Sequence, residues 1–459
     1  MPKSMPSHQH FASVSSLWKP FLFFLVPLLI TNILQSLSGT VNTIFVGQLL
    51  GVNAVAAVAV FFPILFFLLS FVIGLAAGAS VLVGQAWGAH DIEKAKQVTG
   101  NTLALVMALG VVIAIIGVTF SQQALYLLGV PSEIMPLALD YVRLMLMGSP
   151  LLFIFIVYTS LMRGVGDSVT PMAAMILSIA VGLVVTPALI KGWLGLPQMG
   201  IQAPAIATII GFMVVLSYLF FYMRHKKHPL APDQQLFAHI RFDWPITKLI
   251  LRLGLPTALQ MVTSSISGIV IIGLVNHYGA HATATYGVIN QVLSYVQFPA
   301  MSIAIAGSIF AAQAIGANKE DALNCVTRTA LIMNLAFTGI LIMLAYVFSR
   351  HLMALFITNP SVVELGQELL HIVLWSIVLF GAGSIFAGIM RASGTVLLPM
   401  LINVGCIVLI ELPFAVLFSH WYGLKGIWFA YALAFTMMCI LQAAFYQFVW
   451  KKKAIQRLI

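Results

Sequence analysis

Twelve long apolar runs dominate the chain, and they limit what it can become. A helix needs about 20 apolar residues to cross the hydrocarbon of a bilayer. Runs of that size occur at roughly 20–46, 53–82, 97–121, 135–161, 169–193, 200–223, 248–276, 283–314, 326–348, 366–389, 396–419 and 425–449. They do not alternate apolar and polar, and they far exceed the ~10 residues of a barrel strand. The chain is 61% hydrophobic and 7% charged, against about 25% charged residues in a soluble domain. No soluble fold of 459 residues has an interior large enough to hide that surface, so the solvent must be lipid.

The formal charge of +10 raises the question of nucleic acid. Topology explains it instead. With the N-terminus placed in the cytoplasm, 18 of the 22 Lys and Arg residues fall in inner segments and only Arg143, Lys191, Arg350 and Lys425 fall outside. Both termini are therefore expected inside, in a multi-pass inner membrane protein that binds no nucleic acid. The stretch "SLWKPFLFFLVPLLITNILQS" resembles a signal peptide but lacks a small-residue cleavage site, and reads as the first membrane helix. Cys325, Cys406 and Cys439 lack metal-ligand spacing and read as three buried thiols.

The chain also repeats itself. "VPLLITNILQSLSG" (26–39) parallels "LPTALQMVTSSISG" (255–268), pairing Pro27 with Pro256 and Gly39 with Gly268. "GQAWGAHDIEKA" (84–95) parallels "AQAIGANKEDA" (312–322), and "LMRGVGDSVTPM" (161–172) parallels "IMRASGTVLLPM" (389–400). "MGIQAPAIA" parallels "KGIWFAYALA", aligning Gly200 with Gly426. The offset stays between 226 and 229 throughout. Six spans per copy is an even number, so both copies should point the same way across the membrane, related by a pseudo-two-fold axis along its normal. The expected architecture is all-α, with twelve transmembrane helices in two six-helix lobes. The divisions are a tail (1–19), an N-lobe (20–223), a cytoplasmic linker (224–247), a C-lobe (248–449) and a second tail (450–459). Such a duplication can enclose a cavity and support alternating access, or supply only a stable scaffold.

"VNTIFVGQLLG", "GQAWGAHDIEKA" and "LMRGVGDSVTPM" together resemble the multidrug and toxic compound extrusion (MATE) family, and the resemblance covers about residues 20–450. It implies two lobes with a V-shaped opening and export of organic, often cationic, compounds, driven by inward flow of sodium or protons. It implies no cofactor and no enzymatic activity. Physics alone accounts for much of these motifs. Asp91 and Glu93 suit the start of a helix, whose dipole favours carboxylates, and Lys94 and Lys96 suit headgroup depth.

Of the twelve carboxylates, only Glu411, in "VLIELPFAV", lies deep in a span. Intramembrane charge is expensive and usually functional, so Glu411 is the leading candidate for ion coupling, able to hold either a proton or a cationic substrate. The alternative is a packing role. By the resemblance, Asn42 stands where many relatives carry an acid, Thr186 where many carry an Asp before the proline of the fifth helix, and Gly182 where many carry an Asn. Thr208 matches a threonine that relatives often keep. The N-lobe cation site is thus expected in position but depleted in charge. Asn42 could offer a carbonyl oxygen to Na+ or a hydrogen bond to substrate, but cannot hold a proton near neutral pH. It could equally bond only to a neighbouring helix, for about 1 kcal/mol. Gln35, Gln260, Ser264, Asn290, Gln291, Tyr295 and Gln297 are candidates to line a substrate cavity, while His371 reads as a packing histidine.

Three classes of function fit. The first is a secondary active exporter coupled to protons or sodium, with a monomer sufficient and small molecules, the coupling cation and lipid as its only partners. An ATP-driven pump is excluded by the lack of any G-x-x-x-x-G-K-[ST] stretch. The second is a flippase for lipid-linked precursors on the same superfold, which would want several cations deep in the spans; none is found. The third is a channel or scaffold.

Overall fold

The computed structural model describes residues 14–195, 197–354 and 359–459, and the described residues form helices joined by short turns, with no strand among them. Twelve long segments carry the architecture: α1 (Val14–Leu50), α2 (Val52–Gly88), α3 (Ile92–Leu127), α4 (Met135–Met147 continued by Ser149–Gly164), α5 (Val169–Lys191) and α6 (Gln202–His225). The second half repeats the series as α7 (Trp244–Asn276), α8 (Ala280–Gly316), α9 (Ala322–Val347), α10 (Val362–Ala392), α11 (Leu397–Tyr422) and α12 (Leu424–Phe448). Eleven are long and apolar enough individually, and the twelfth is α4, bent by 49° between its two pieces. The bend has a local cause. Pro150 lacks an N–H and its ring crowds the carbonyl four residues back, so the helix cannot run straight through Gly148–Pro150. The helices overrun the apolar runs at their ends because polar residues can extend a helix beyond the hydrocarbon.

Backbone geometry repeats as the sequence does. The left-handed residues His90 (φ 61°) and Asn318 (φ 54°) end equivalent turns, as do Gly166 (φ 87°) and Gly394 (φ 85°). Gly51 and Gly279, with φ 87° and 91°, occupy the N-caps of α2 and α8. All three pairs are 228 residues apart. Asp91 caps α3 by accepting a 2.8 Å hydrogen bond from the Lys94 amide, the role its position in the sequence suggests.

The chain divides into two compact units. One comprises Val26–Trp87 and Asp91–Leu255. The other comprises Pro256–Ile459 with Gly88–His90 and the described residues up to Leu25. The first unit does not end where the apolar pattern of α6 ends. Residues 224–247, read from sequence as a linker, are bonded into it. The Tyr158 hydroxyl donates to the Leu230 carbonyl (2.7 Å), Asn101 Nδ2 donates to the Arg241 and Asp243 carbonyls (3.1 and 3.2 Å), and Thr247 Oγ1 donates to Asn101 Oδ1 (3.0 Å). Lys96, nearly inaccessible, pairs with Asp233 and donates to Gln235 Oε1 (3.0 Å). A buried ammonium must find such partners, and the polar residues of the segment supply them. Gly100 permits the approach, since a Cβ there would lie 2.5 Å from the His239 carbonyl. Cys406 is buried, Cys325 and Cys439 are half-buried, and all three thiols are free.

Candidate functional site

In the second unit, the α11 helix is irregular just where its acid sits. Leu397–Gly405 is α-helical, Cys406–Glu411 takes a π turn, and Leu412–Tyr422 resumes as α-helix. Pro413 lies two residues past Glu411 and withdraws a backbone N–H, so the preceding turn widens to rehouse the freed carbonyls. The extra residue shifts the face of the helix by about 100°. Leu409 stays 71% exposed on the lipid-compatible side, whereas Glu411 is only 6% exposed. The corresponding Pro187 in α5 sits in uninterrupted α-helix.

Glu411 is the one carboxylate among the described residues that is fully buried. Its Oε1 accepts a hydrogen bond from the Ser267 hydroxyl on α7. Tyr431, on α12, lies within electrostatic reach of Glu411 and shares a 3.3 Å hydroxyl contact with Tyr286 on α8. Trp428, one turn before Tyr431, stands 5.6 Å from the Tyr286 ring and 5.7 Å from the Tyr431 ring, centroid to centroid. Its indole N–H is buried and meets no acceptor. Four helices thus converge on one acid, three hydroxyls and a spare donor. An acid in this setting can exchange a proton through hydroxyl partners or pair with a cation against aromatic faces.

Sequence inspection missed Ser267, Tyr286, Trp428 and Tyr431, although a signal existed for two of them. Gln260, Ser264 and Ser267 follow one another at helical spacing, so Ser267 extends the polar row of α7. Ser264 itself is exposed, its hydroxyl turned back to the Gln260 carbonyl (3.1 Å), and Gln260 is half-buried. On α8, Tyr286, Asn290 and Gln297 lie along one face, while Gln291 and Tyr295 lie on the other side of the helix; Tyr295 is 40% exposed. The four α8 candidates therefore do not form one lining. Trp428 and Tyr431 gave no signal, being two aromatic residues among many. His371 packs as expected, with its Nε2 2.9 Å from the Ser349 hydroxyl and its ring against Tyr346.

In the first unit, Asn42 is half-buried on α1 and Thr186 is buried on α5. Thr208, half-buried on α6, bonds to the Pro204 carbonyl at 2.8 Å. Leu49 and Leu50 of α1 pack with Val185, Leu189 and Ile190 of α5 and with Ala203 and Ala207 of α6. The three helices carrying these residues therefore meet. Asn42 shares a helical face with Leu49, which is part of that packing, and with Val46, which is buried in a neighbouring cluster with Ala54 and Phe61. Gln35, two turns earlier on the same row, is exposed. The oxygens available here are neutral, and among the described residues no group of three or more His, Cys, Asp or Glu could hold a metal ion.

Where the chain leaves the apolar layer, Asp167 binds the start of α5, accepting from the amides of Val169 and Thr170 (3.0 Å each), and lies 3.4 Å from His228 Nε2. Burial would raise its pKa, but the nearby His228 imidazole and the bonds from Thr170 outweigh that and hold its carboxyl below the usual range.

Comparison with known proteins bears on the whole chain. The MatE family model matches twice, at residues 27–188 and 256–417, the same 229-residue spacing found between the two prolines. The chain is 44% identical over 449 residues to the probable multidrug resistance protein YoeA of Bacillus subtilis (strain 168), covering 97% of each. It is 28% identical over 435 residues to the probable multidrug resistance protein YpnP of the same organism, covering 94% of this chain and 96% of that one. Its fold resembles that of a crystallised mutant of the Vibrio cholerae MATE transporter VcmN, with a TM-score of 0.89 at 21% identity, over 96% of this chain and 99% of that one. From the duplicated helical architecture, the twofold match and the full-length likeness together, the chain belongs to the MatE family of multidrug-efflux transporters.

Proposed function

We propose that this protein is a secondary active exporter of organic, often cationic, compounds across the cytoplasmic membrane, with both termini inside, and that Glu411 couples export to inward ion movement. The observation that carries the reading is the burial of a single carboxylate at a π turn, held by one serine and faced by a tyrosine pair. A carboxylate that serves packing alone would be expected to be saturated with donors, because each unsatisfied oxygen in a low-dielectric site is costly. Glu411 has one side-chain donor, which leaves room for a proton or a cation to compete. Proton exchange is the simpler form, because the aromatic and hydroxyl surroundings do not offer the several oxygens that Na+ prefers. Export follows if substrate and proton cannot occupy the acid together. Asn42, Thr186 and Thr208 supply a neutral polar cluster in the first unit, suited to weak Na+ or substrate contacts. Gln260, Asn290 and Gln297, half-buried on α7 and α8, are assigned to substrate contacts.

The test is purified protein in liposomes, loaded with a cationic dye and subjected separately to pH and sodium gradients. Dye movement driven by the pH gradient supports the reading. Movement driven only by sodium transfers the coupling role away from Glu411, and lipid scrambling without dye movement would establish the flippase class in its place.

A further inference from the structure

We propose that residues 224–252 of the first unit form a surface that docks on anionic phospholipid headgroups. The segment carries six Lys or Arg residues against two acids, and the fold sorts the two signs to different sides. Both acids turn onto α3. Asp233 pairs with Lys96 and accepts from the Leu236 amide at 2.9 Å, and Asp243 accepts from Gln97 Nε2 at 3.3 Å. Arg224 is also held, its Nε donating to the Pro232 carbonyl at 2.8 Å. The other five bases, Lys226, Lys227, Arg241, Lys248 and Arg252, are exposed, and their side chains make no hydrogen bond or ion pair with the described residues. Nothing within the segment neutralises them.

Aromatic residues stand among these charges. Phe242 is 63% and Trp244 70% exposed, on either side of Asp243, and Phe237 of the short helix Gln234–Ala238 is exposed as well. Water gives such rings nothing, whereas the interfacial layer of a bilayer takes them in and leaves neighbouring bases at the phosphates. The first turns of α7 set the depth. Trp244, Lys248, Arg252, Leu255 and Leu259 follow one another at spacings of three and four and share one exposed face. That face passes from aromatic and basic to apolar between Arg252 and Leu255, as it does on a helix leaving the headgroup layer for hydrocarbon. At 1.5 Å per residue, Lys248 stands about 10 Å before Leu255. The bonds from Asn101 and Tyr158 to the backbone of 230–243 hold the rest of the segment against the ends of α3 and α4. The bases therefore call for a partner that is anionic and fixed at headgroup depth, and the phosphodiester of an anionic phospholipid meets both conditions.

The experiment is native mass spectrometry of the full chain, released from neutral micelles after equilibration with phosphatidylglycerol or with phosphatidylcholine over a range of concentrations. The wild type should retain phosphatidylglycerol at a concentration at least about tenfold lower than phosphatidylcholine. Arg241→Gln with Lys248→Gln and Arg252→Gln should remove most of that preference. Lys191→Gln with Arg350→Gln, in the outer connections, should leave it intact. Should the triple variant fail to fold, Lys226→Gln with Lys227→Asn takes its place with the same direction of change, the Asn suiting the left-handed backbone at 227 (φ 50°). Equal retention of the two lipids by the wild type, or base variants that keep the wild-type preference, would overturn the proposal. A dimer free of phosphatidylglycerol would overturn it too, giving the surface to a second copy of the chain.

Discussion

Replacing Glu411 by Gln keeps the size and hydrogen-bonding shape of a protonated carboxyl while removing its ability to ionise. Gln can still accept from Ser267, so the fold should survive and the variant should insert at normal levels. The structure offers one fully buried acid, which limits this route to one proton per cycle. One pH unit corresponds to about 1.36 kcal/mol. With no membrane potential and a gradient of about two units, one proton can sustain at most about 100-fold accumulation of a substrate that carries no net charge in exchange. The assay is a steady-state dye ratio in proteoliposomes with the potential clamped by potassium and valinomycin. The wild type should approach but not exceed that ratio, and Glu411→Gln should equilibrate the dye without accumulating it. Undiminished accumulation by Glu411→Gln would refute the coupling role, and a wild-type ratio well above the one-proton limit would show that another group carries ions.

Asn42→Asp places a charge in the first unit's polar cluster, and dye efflux by the variant should shift its sodium or pH dependence relative to the parent. Asp167 is held below its ordinary value of 3.8, so its contribution is present above that pH and fades as pH falls through the lower folded value. Thermal unfolding of the wild type should therefore weaken below about pH 4, whereas Asp167→Asn should be less stable at neutral pH and should lose less on acidification. A Cβ at Gly426 would sit 2.1 Å from the Phe418 carbonyl oxygen, so Gly426→Ala should destabilise by ~2 kcal/mol or more; Gly273→Ala, with nothing within 4 Å, should be neutral or slightly stabilising in the same melting assay. Asp233→Asn leaves the buried Lys96 without its anion, and limited proteolysis should then cut within 224–247 more readily than in the parent.

The membrane class, the span count and the duplication were legible from the chain itself, because a bilayer imposes a length on every crossing and a copied gene keeps its turn residues in register. Pro27 with Pro256 and Arg163 with Arg391 are one-dimensional facts. So is the isolation of Glu411 within an apolar span, since a charge in hydrocarbon stands out in any reading. Contact partners were not legible. Nothing local in the chain distinguishes Ser267 from Ser264, one turn away, yet one is buried against the acid and the other is exposed. Only the packing of α7 against a widened α11 makes that choice. The segment 224–247 looks like a tether by composition, and it is held to α3 and α4 by residues more than 70 positions distant. Periodicity reports which face of a helix is apolar, because that depends on neighbours three and four residues along. Which helix covers that face depends on residues far away in sequence, and that was decided by tertiary structure alone.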